Sequence, residues 1–595
     1  MLGIYSSWKL NKNFLKENST NDFDFYSIYS DDFSVGIIYP KNKKAHAYSR
    51  QGEDWLLIDG FAFDSHEKRL TATELLRSVQ ENGINYLHQL NGEFFISLRV
   101  GGRLFFVNDF MGQRQHCLLH DKNDFCIAPS PGLVLELAGK TKEINYNALF
   151  VFLITRKFRY KRASIWRGCV VIEPGSQIEI RSGEVTTSRY WLYEHAHVKS
   201  KPDIDHLVEL YRKAVNSRIL ENDIALTLTG GLDSRSMIGA VTPDKLSMLK
   251  GVTMGMDGCD EIRFAAEVAG KLGVNYDPYY VVAEEAFASS SLKYLENEDI
   301  DLLIQGIWSP FTQKLKGSSY LLHGLDLDVT LGGIYLNEAL MNVKSKSDYK
   351  QFLIEENLRL PQERLNSLFK DKASSIFELD IDSYFDELIE EIQGDDYAES
   401  YDKIIMSQSM NRVILQRYRG IRQQIETLSP MYDRRLVDYI LSLELKERAN
   451  YKTFVPFINR LCPHLCEIPY QRTGLPPKVP FHFWKDAQKV DGQREELYRK
   501  IAFESKGKNY VEFKKYYTNV DEWMRFNKSW MTATSDLLQS ENSIIRETLV
   551  NGQEVDRLIE EHQKHERSNL GILHTLMSAE IFLRMGEGQD LLNYE

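Results

Sequence analysis

A run of glycines, hydroxyl residues and one acid in the middle of the chain has the composition of a phosphate-binding turn. The segment LTLTGGLDSRS spans residues 226–236, and within it Gly230 and Gly231 precede Asp233. Glycines allow the backbone to approach a ligand, and the free N–H groups of a following helix bind phosphate oxygens. An acid beside a phosphate is repelled unless a cation lies between them. The segment therefore predicts Asp233 as a Mg²⁺ ligand in a nucleotide site.

The same segment has a plainer interpretation. Asp is a favoured N-cap residue, and paired glycines also occur in ordinary tight turns. The segment has no lysine, so it does not match the Walker A pattern G-x-x-x-x-G-K-[ST]. Taken alone, these residues support an N-cap and a metal ligand equally for Asp233.

A second acidic turn favours the metal site. The segment YLLHGLDLDVTLGGIY, residues 320–335, again has a short apolar run followed by glycine and acids, here Asp326 and Asp328. Ligands of a parallel sheet bind at the carboxyl ends of its strands. Two such turns on adjacent strands would hold Mg²⁺ and a triphosphate between them.

The surrounding pattern predicts the elements that position these turns. Residues 1–195 contain short apolar or alternating runs such as DWLLIDGFAF, which predict strands, and the segment TATELLRSVQEN predicts a helix with a Thr71–Glu74 capping box. From residue 200 helical and strand patterns alternate, which predicts a parallel sheet covered by helices. From about residue 337 onward most segments are helical.

The composition excludes several classes of function. A net charge of −12 gives no general reason to expect nucleic-acid or anionic-membrane binding, and no apolar window is long enough for a membrane span. Six cysteines are too few for a disulfide scaffold, which favours a cytoplasmic location. We interpret CPHLC, residues 462–466, as a helix end rather than a zinc site. We interpret RKFRYKRAS, residues 156–164, as a solvated hairpin or loop.

Taken in order, these segments resemble the asparagine synthetase family. TGGLDSR resembles the pyrophosphate-loop pattern S-G-G-x-D-S, and HGLDLDVTLGG resembles S-G-E-G-A-D-E-L-F-G-G with Asp328 at the metal-binding Asp. Later blocks follow in the same order: GMDGCDEIRFAAEVAGKLGV, IETLSPMYDRRLVDYILSL, YQRTG and HTLMSAEIFLR. The resemblance implies ATP and Mg²⁺ as cofactors. It also implies a PP-loop domain of the adenine-nucleotide α-hydrolase type over residues 200–595, with a helical C-terminal half.

Residues 1–195 resemble the class II amidotransferase (glutaminase) domain of the same family. LNGEFFISLRVGGRLFFVNDFMGQRQ resembles L-x-G-x-F-A-F…R-D-x-x-G, which implies an N-terminal-nucleophile-type αββα sandwich and, for the whole chain, an α/β class with an α+β N-terminal part. That glutaminase uses an N-terminal Cys as nucleophile. Here the second residue is Leu2, the nearest cysteine is Cys117, and Asp59 replaces the glutamine-binding Asn. We therefore expect a catalytically dead domain.

The second domain also departs from the family at positions that face the substrates. Leu325 replaces a Glu that is Tyr in β-lactam-forming relatives, and the neighbouring Asp326 is a candidate substitute. Arg472 aligns with a Lys that meets transition-state charge, so we expect it to stabilise pyrophosphate without transferring a proton. Glu426 aligns with an acid that would orient or deprotonate the amine, and its plainer interpretation is a surface or salt-bridged Glu.

Carried over position by position, the resemblance implies one site. Its predicted catalytic residues are Asp233, Asp328, Arg472 and Glu426, of which Asp233 and Asp328 bind the metal. Its predicted nucleotide contacts are Leu228, Thr229, Gly230, Gly231, Leu232, Asp233, Ser234, Met254, His323 and Gly324. We interpret Arg419 and Arg422 as a solvated helix face in preference to the lining of an acceptor pocket.

The implied reaction is ATP-dependent amide formation through an acyl-adenylate, with release of AMP and pyrophosphate from a carboxylate and an amine. Without a glutaminase, the amine is free ammonia, ammonia from a partner protein, or an amine on a larger substrate. The last option resembles lasso-peptide macrolactam cyclases, which join a carboxylate side chain to a peptide α-amine. Amidation of a sugar acid, another small carboxylate or aspartate is the alternative within the class. A non-catalytic structural or regulatory homologue is the alternative outside it, and a homodimer is compatible with either.

Overall fold

The structure is a computed structural model. It describes residues 1–7, 10, 12–19, 22–29, 33–121, 125–181, 184–287, 298–299, 308, 310–312, 314–505, 508 and 516–589. Within these residues, no helix is both long and apolar enough to cross a membrane.

The N-terminal part contains two six-stranded antiparallel sheets. Their strands are β1 Gly3–Ser7, β2 Phe23–Tyr29, β3 Ser34–Pro40, β4 Tyr48–Gln51, β5 Asp54–Phe63, β6 Asn91–Val100, β7 Arg103–Asn108, β8 Cys117–His120, β9 Phe125–Ala128, β10 Cys169–Val171, β11 Ser176–Arg181 and β12 Glu184–Arg189. The first sheet has the order β10-β8-β9-β1-β3-β2 and the second β12-β11-β7-β6-β5-β4. The strands predicted from the alternating runs are therefore present.

The two sheets pack face to face between helices. Buried side chains of both sheets share one apolar cluster, with Ile4 and Ile37 from the first sheet and Phe95 from the second. The helix Ala72–Asn82 covers the outer face of the second sheet, and it begins with the predicted Thr71–Glu74 capping box. The helices Pro131–Ala138 and Tyr146–Thr155 pack in the cluster that includes β8. This layering confirms the predicted αββα sandwich, and the shorter N-terminal helices are Lys12–Glu17 and Lys44–Ala47.

A five-stranded parallel sheet follows. Its strands are β13 Ile224–Thr227, β14 Leu249–Gly255, β15 Asn275–Tyr280, β16 Leu321–Leu322 and β17 Thr427–Leu428, in the order β15-β14-β13-β16-β17. The helices between its first strands are Ile204–Asn216, Leu232–Ala240 and Asp260–Leu272, as the alternating pattern predicts. β13 and β16 are direct neighbours, so the two acidic turns leave the same edge of the sheet side by side.

The rest of the chain is largely helical, as predicted. Its α-helices are Leu327–Thr330, Glu338–Met341, Lys346–Asn357, Gln362–Leu368, Ala373–Ile376, Ile381–Glu391, Tyr397–Ile404, Leu415–Ile421, Arg434–Leu441, Leu445–Arg448, Phe454–Leu461, His482–Glu504, Val520–Phe526, Lys528–Leu538, Ile544–Thr548, Gly552–Gln563 and Leu570–Gly586. A π-helix spans Ile405–Ile414. CPHLC directly follows the helix that ends at Leu461, and its two thiols are buried and free, in agreement with the interpretation as a helix end.

Buried arginines correct two expectations. Arg419 and Arg422 are buried, and Arg419 pairs with Glu298 and Asp299, so the solvated-face interpretation is wrong. Within the basic segment 156–164, Arg159 is buried, so that loop is not fully solvated. Periodicity identified these segments, but burial at a contact distant in sequence leaves no local signal. The division at residues 195–200 stays a prediction.

Candidate nucleotide and metal site

The two acidic turns meet at the carboxyl edge of the parallel sheet. The helix Leu232–Ala240 has Gly231 as its N-cap, so Asp233 lies in the first turn and the N-cap interpretation is wrong. After β16, Asp326 adopts a left-handed conformation with φ of 84° and starts the short helix that carries Asp328. The backbone N–H of Asp328 donates a hydrogen bond to Oδ1 of Asp233 over 3.1 Å. The structure therefore brings the two predicted metal ligands together.

Hydroxyl oxygens of the glycine turn accept hydrogen bonds from its own backbone N–H groups. The backbone N–H of Thr229 donates to Oγ of Ser234 over 3.0 Å, and that of Gly231 donates to Oγ1 of Thr229 over 3.0 Å. A Cβ on Gly230 would lie 2.8 Å from the Cβ of Gln471, so a larger residue there would force the chain apart. The turn has the small residues and polar groups that a phosphate chain needs.

These residues open into a cavity of about 290 Å³. Most of the predicted site lines it: Thr229, Gly231, Leu232, Asp233, Ser234, Met254, Gly324, Asp328 and Arg472. Leu325, at the position where the family has an acid, lines it as well, whereas Asp326 lies outside the lining. Asp326 instead accepts a hydrogen bond from the hydroxyl of Tyr432 over 2.5 Å, so it does not take the place of the missing acid in the cavity.

Four predicted residues lie behind the cavity wall. Leu228 is fully buried, and its carbonyl accepts a hydrogen bond from Thr253. The ring of His323 stacks on Tyr418 with 3.6 Å between centroids, and burial, with the nearby Arg114 and Arg422, lowers its pKa to about 3. The N–H of Gly230 is occupied by another side chain, described below. The fourth residue is Glu426.

Glu426 does not reach the cavity in this structure. Its Oε2 lies 2.5 Å from Nη2 of Arg114, a buried residue of the N-terminal part. The placement matches the salt-bridged interpretation rather than a contact with an amine substrate. Alignment with a family block identified the residue, but it could not show that Arg114 holds the carboxylate away from the cavity.

The carboxylate pair has the properties of a divalent-cation site. Burial raises the pKa of Asp233 well above its usual range, and the charges of Asp328 and Asp326 add to the shift. Burial also raises the pKa of Asp328, against the effect of the nearby Arg472. Two partly desolvated carboxylates in one cavity cost free energy when both are charged and no cation is bound. The described residues contain no group of three or more metal-binding side chains, and two carboxylates with substrate phosphates are what Mg²⁺ requires. The residues therefore fit Mg²⁺.

Two charged residues of the cavity were missed by sequence reasoning. Arg417 lines the cavity and adds a second cation to Arg472. Glu261, from the helix Asp260–Leu272, accepts the N–H of Gly230 over 2.7 Å. Glu261 stands inside the DEIRFAAEV block, so its position was visible, but only the fold shows that it reaches the glycine turn. Burial raises the pKa of Glu261 to about 7.

This carboxyl should make nucleotide affinity depend on pH. Below its pKa of about 7, Glu261 is neutral, and above it a negative charge lies where phosphate would bind. We expect the apparent Kd for ATP, measured by calorimetry, to rise about tenfold from about pH 6 to about pH 8, equivalent to ~1.4 kcal/mol. Glu261→Gln should remove this rise, and comparing the two proteins cancels the titration of ATP itself. If the Kd for ATP rises with pH equally in wild type and variant, Glu261 is not the group that causes the pH dependence.

The residues around the glycine turn match a known protein family. Residues 206–323, which contain the glycine turn and end at His323 before Asp328, match the family described as asparagine synthase. The chain therefore carries an asparagine synthase domain. At the level of that family, the match supports an ATP-utilising ligase that forms amide bonds. No curated protein matched the chain.

Solved structures resemble the chain only distantly. A glutamine phosphoribosylpyrophosphate amidotransferase from B. subtilis, complexed with ADP and GMP, is 11% identical over 46% of this chain and 65% of its own, with a TM-score of 0.23. The allosteric regulatory enzyme of purine biosynthesis is 10% identical over 46% and 64%, with a TM-score of 0.22. The U34-tRNA thiolase NcsA from Methanococcus maripaludis, with its [4Fe-4S] cluster, is 11% identical over 49% and 73%, with a TM-score of 0.21. The chain thus spans slightly less than two thirds of the first two proteins.

Proposed function

We propose that the protein is an ATP-dependent amide ligase that activates a carboxylate as its acyl-adenylate and transfers it to an amine. The observation that carries this proposal is the half-buried Asp233–Asp328 pair, which joins the glycine turn to the second acidic turn inside a cavity that also holds Arg417 and Arg472. The asparagine synthase match supports the reaction class.

In the proposed reaction, a substrate carboxylate oxygen attacks the α-phosphorus of ATP, a bond to the bridging oxygen breaks, and pyrophosphate leaves. The amine then attacks the acyl carbon, loses a proton and displaces AMP. Thr229, Gly231 and Ser234 would hold the pyrophosphate when their N–H and hydroxyl groups exchange the hydrogen bonds that they make with one another for phosphate oxygens. Arg472 lines the same cavity and donates to the hydroxyl of Tyr451 over 3.1 Å, which fixes its guanidinium near the leaving charge.

Asp233 and Asp328 would hold Mg²⁺, which supplies positive charge to the phosphate oxygens when bound. The chain's own contribution is the geometry of that pair. Each carboxylate lies in the first turn of a helix, and the two helices follow the neighbouring strands β13 and β16. This arrangement keeps the two acids at a set separation before any substrate enters.

We further propose that the N-terminal domain supplies no ammonia. Its three cysteines, Cys117, Cys126 and Cys169, are all buried, and burial raises the pKa of Cys117 to about 12. A thiol that stays protonated and buried is a poor nucleophile. The amine would then come from solution, from a partner protein or from the substrate itself. None of the six cysteines, all of which the structure describes, forms a disulfide, which supports a reducing, cytoplasmic compartment.

Of the possible acceptors, the cavities favour a large one such as a peptide. A second cavity of about 340 Å³ has Tyr517 in its wall, and Tyr517 also lines the first. Arg156, Arg499 and His574 line this second cavity. A substrate that extends past Tyr517 would contact both cavities, which supports a macrolactam-type cyclase over amidation of a small acid. In the first cavity, Leu325 and Phe311 add apolar surface beside the two arginines.

Exchange of labelled pyrophosphate into ATP tests the proposal. We expect exchange that depends on Mg²⁺ and on a carboxylate, and stimulation by peptides that carry Asp or Glu should exceed that by aspartate or sugar acids. Peptide-specific exchange with release of AMP would support the cyclase. Exchange with small acids alone would favour their amidation, and no exchange with any of them would favour a non-catalytic homologue.

A further inference from the structure

One segment of the second domain is held by side chains of the N-terminal part. This segment, residues 426–433, includes β17 and the turn after it. Nη2 of Arg114 donates to the carbonyl of Thr427 over 2.8 Å, and the carboxylate of Glu93 accepts the backbone N–H of Ser429. Both of these N-terminal side chains are buried. Side chains from one domain thus satisfy main-chain groups of the other, which fixes the path of the segment.

The same segment contacts the turn that carries Asp328. β17 pairs with β16, where the N–H of His323 donates to the carbonyl of Leu428 over 3.0 Å. The hydroxyl of Tyr432 donates to Oδ2 of Asp326 over 2.5 Å. Asp326 is the left-handed residue from which the helix Leu327–Thr330 starts. The contacts therefore run without a gap from Glu93 through the segment to the residue that sets the start of the metal-binding helix.

Asp326 needs such a contact because its backbone is strained. A φ of 84° is uncommon for a residue with a Cβ and persists where the surroundings enforce it. Two hydrogen bonds from Thr330, by its N–H at 2.8 Å and its Oγ1 at 2.9 Å, hold the carbonyl of Asp326. Tyr432 holds its side chain. A relaxed Asp326 would rotate the first turn of the helix and move Asp328 relative to Asp233.

We propose that Glu93 and Tyr432 are positioning residues for the metal site, and that the N-terminal domain acts in the reaction by holding the segment 426–433. This inference rests on the proposed function, since it requires Asp233 and Asp328 to bind a divalent cation. It gives a role in the ligase reaction to a domain that, on that proposal, makes no ammonia. Groups that orient metal ligands from behind typically change metal affinity by 10–100-fold when they are removed.

Metal binding in the absence of turnover tests the inference. Mn²⁺ is titrated into the full-length protein with α,β-methylene-ATP and, separately, into the nucleotide alone. Free Mn²⁺ is measured by electron paramagnetic resonance, and the difference between the two titrations is the binding that depends on the protein. We expect Tyr432→Phe and Glu93→Ala, which remove the hydroxyl donor and the carboxylate acceptor, each to raise the apparent Kd for Mn²⁺ by about tenfold or more. Asp328→Asn should abolish binding and mark the site.

Two matched variants control for a general loss of packing. Tyr190→Phe removes a hydroxyl that donates to the carbonyl of Asn108 over 2.6 Å, away from the segment. Glu580→Ala removes a buried carboxylate that accepts backbone N–H groups of Ile544 and Ile545 at 3.1 and 2.8 Å. Both should bind Mn²⁺ within about twofold of wild type. Thermal unfolding shows whether each variant folds. If either the Tyr432 or the Glu93 variant does not fold, the other one still tests the inference.

The outcomes separate the inference from the proposed function. Wild-type binding that is unchanged in Tyr432→Phe and Glu93→Ala would overturn the positioning role and leave the ligase proposal standing. Equal weakening in all four variants would also overturn it, since the effect would not depend on the segment. Failure of the wild-type protein to bind Mn²⁺ with the nucleotide would overturn both.

Discussion

Replacing Asp233 with alanine is expected to lower pyrophosphate–ATP exchange by about 1000-fold, equivalent to ~4 kcal/mol of transition-state stabilisation. Asp233 lies in the cavity beside Asp328, and its Oδ1 also accepts the N–H of Asp328. The alanine variant loses a metal ligand and the contact that joins the two acidic turns. Initial rates of labelled pyrophosphate exchange, at saturating ATP and a fixed carboxylate, measure the loss.

The control for this variant is a surface acid outside the cavity. Asp244 is exposed, near the start of the 3₁₀ helix Pro243–Met248, and Asp244→Ala should leave exchange within about twofold. Because Asp233 is a half-buried acid beside other carboxylates, its removal should not lower the melting temperature of the ligand-free protein. An Asp233→Ala variant that retains exchange while folding normally would remove Asp233 from the metal site.

Local patterns predicted the centre of the site because its chemistry is encoded in short segments. The strand, glycine turn and helix around Asp233 are contiguous in sequence. The step to Asp328 needed only the rule that ligands gather at the carboxyl ends of parallel strands, and the structure places β13 beside β16. The two-sheet N-terminal fold was likewise predicted from alternating runs together with the family resemblance.

Contacts between distant segments account for the misses. Nothing in the local sequence shows that Arg419 meets Glu298 and Asp299 and is therefore buried. Glu426 aligned with a substrate-facing acid, but Arg114, more than 300 residues earlier in the chain, pairs with it. Glu261 was not predicted as a site residue because its partner is the N–H of Gly230, which lies about 30 residues earlier in the chain. Each miss concerns a charge whose environment is set by tertiary packing.

The loss of Arg114 should strongly lower stability. Its guanidinium is fully buried, 3.4 Å from Asp59 and 2.5 Å from Glu426, and it donates to the carbonyl of Thr427 over 2.8 Å. Removing one partner of a buried charge cluster leaves the others desolvated and unpaired. Arg422 lies 3.8 Å from Asp59 and compensates only part of that loss. We expect Arg114→Ala to lower the free energy of unfolding by about 3–5 kcal/mol.

Urea unfolding followed by tryptophan fluorescence and circular dichroism measures this change, with Arg103→Ala as the matched control. Arg103 pairs with Glu179 over 2.7 Å on the surface of the same sheet sandwich, so its loss should cost at most about 1 kcal/mol. Arg114→Met keeps the length and apolar bulk of the side chain without the charge. If the methionine variant is as unstable as the alanine variant, the unpaired carboxylates of Asp59 and Glu426 cause the loss. If methionine restores stability, the arginine contributes mainly by filling space, and the charge cluster does not hold the two domains together.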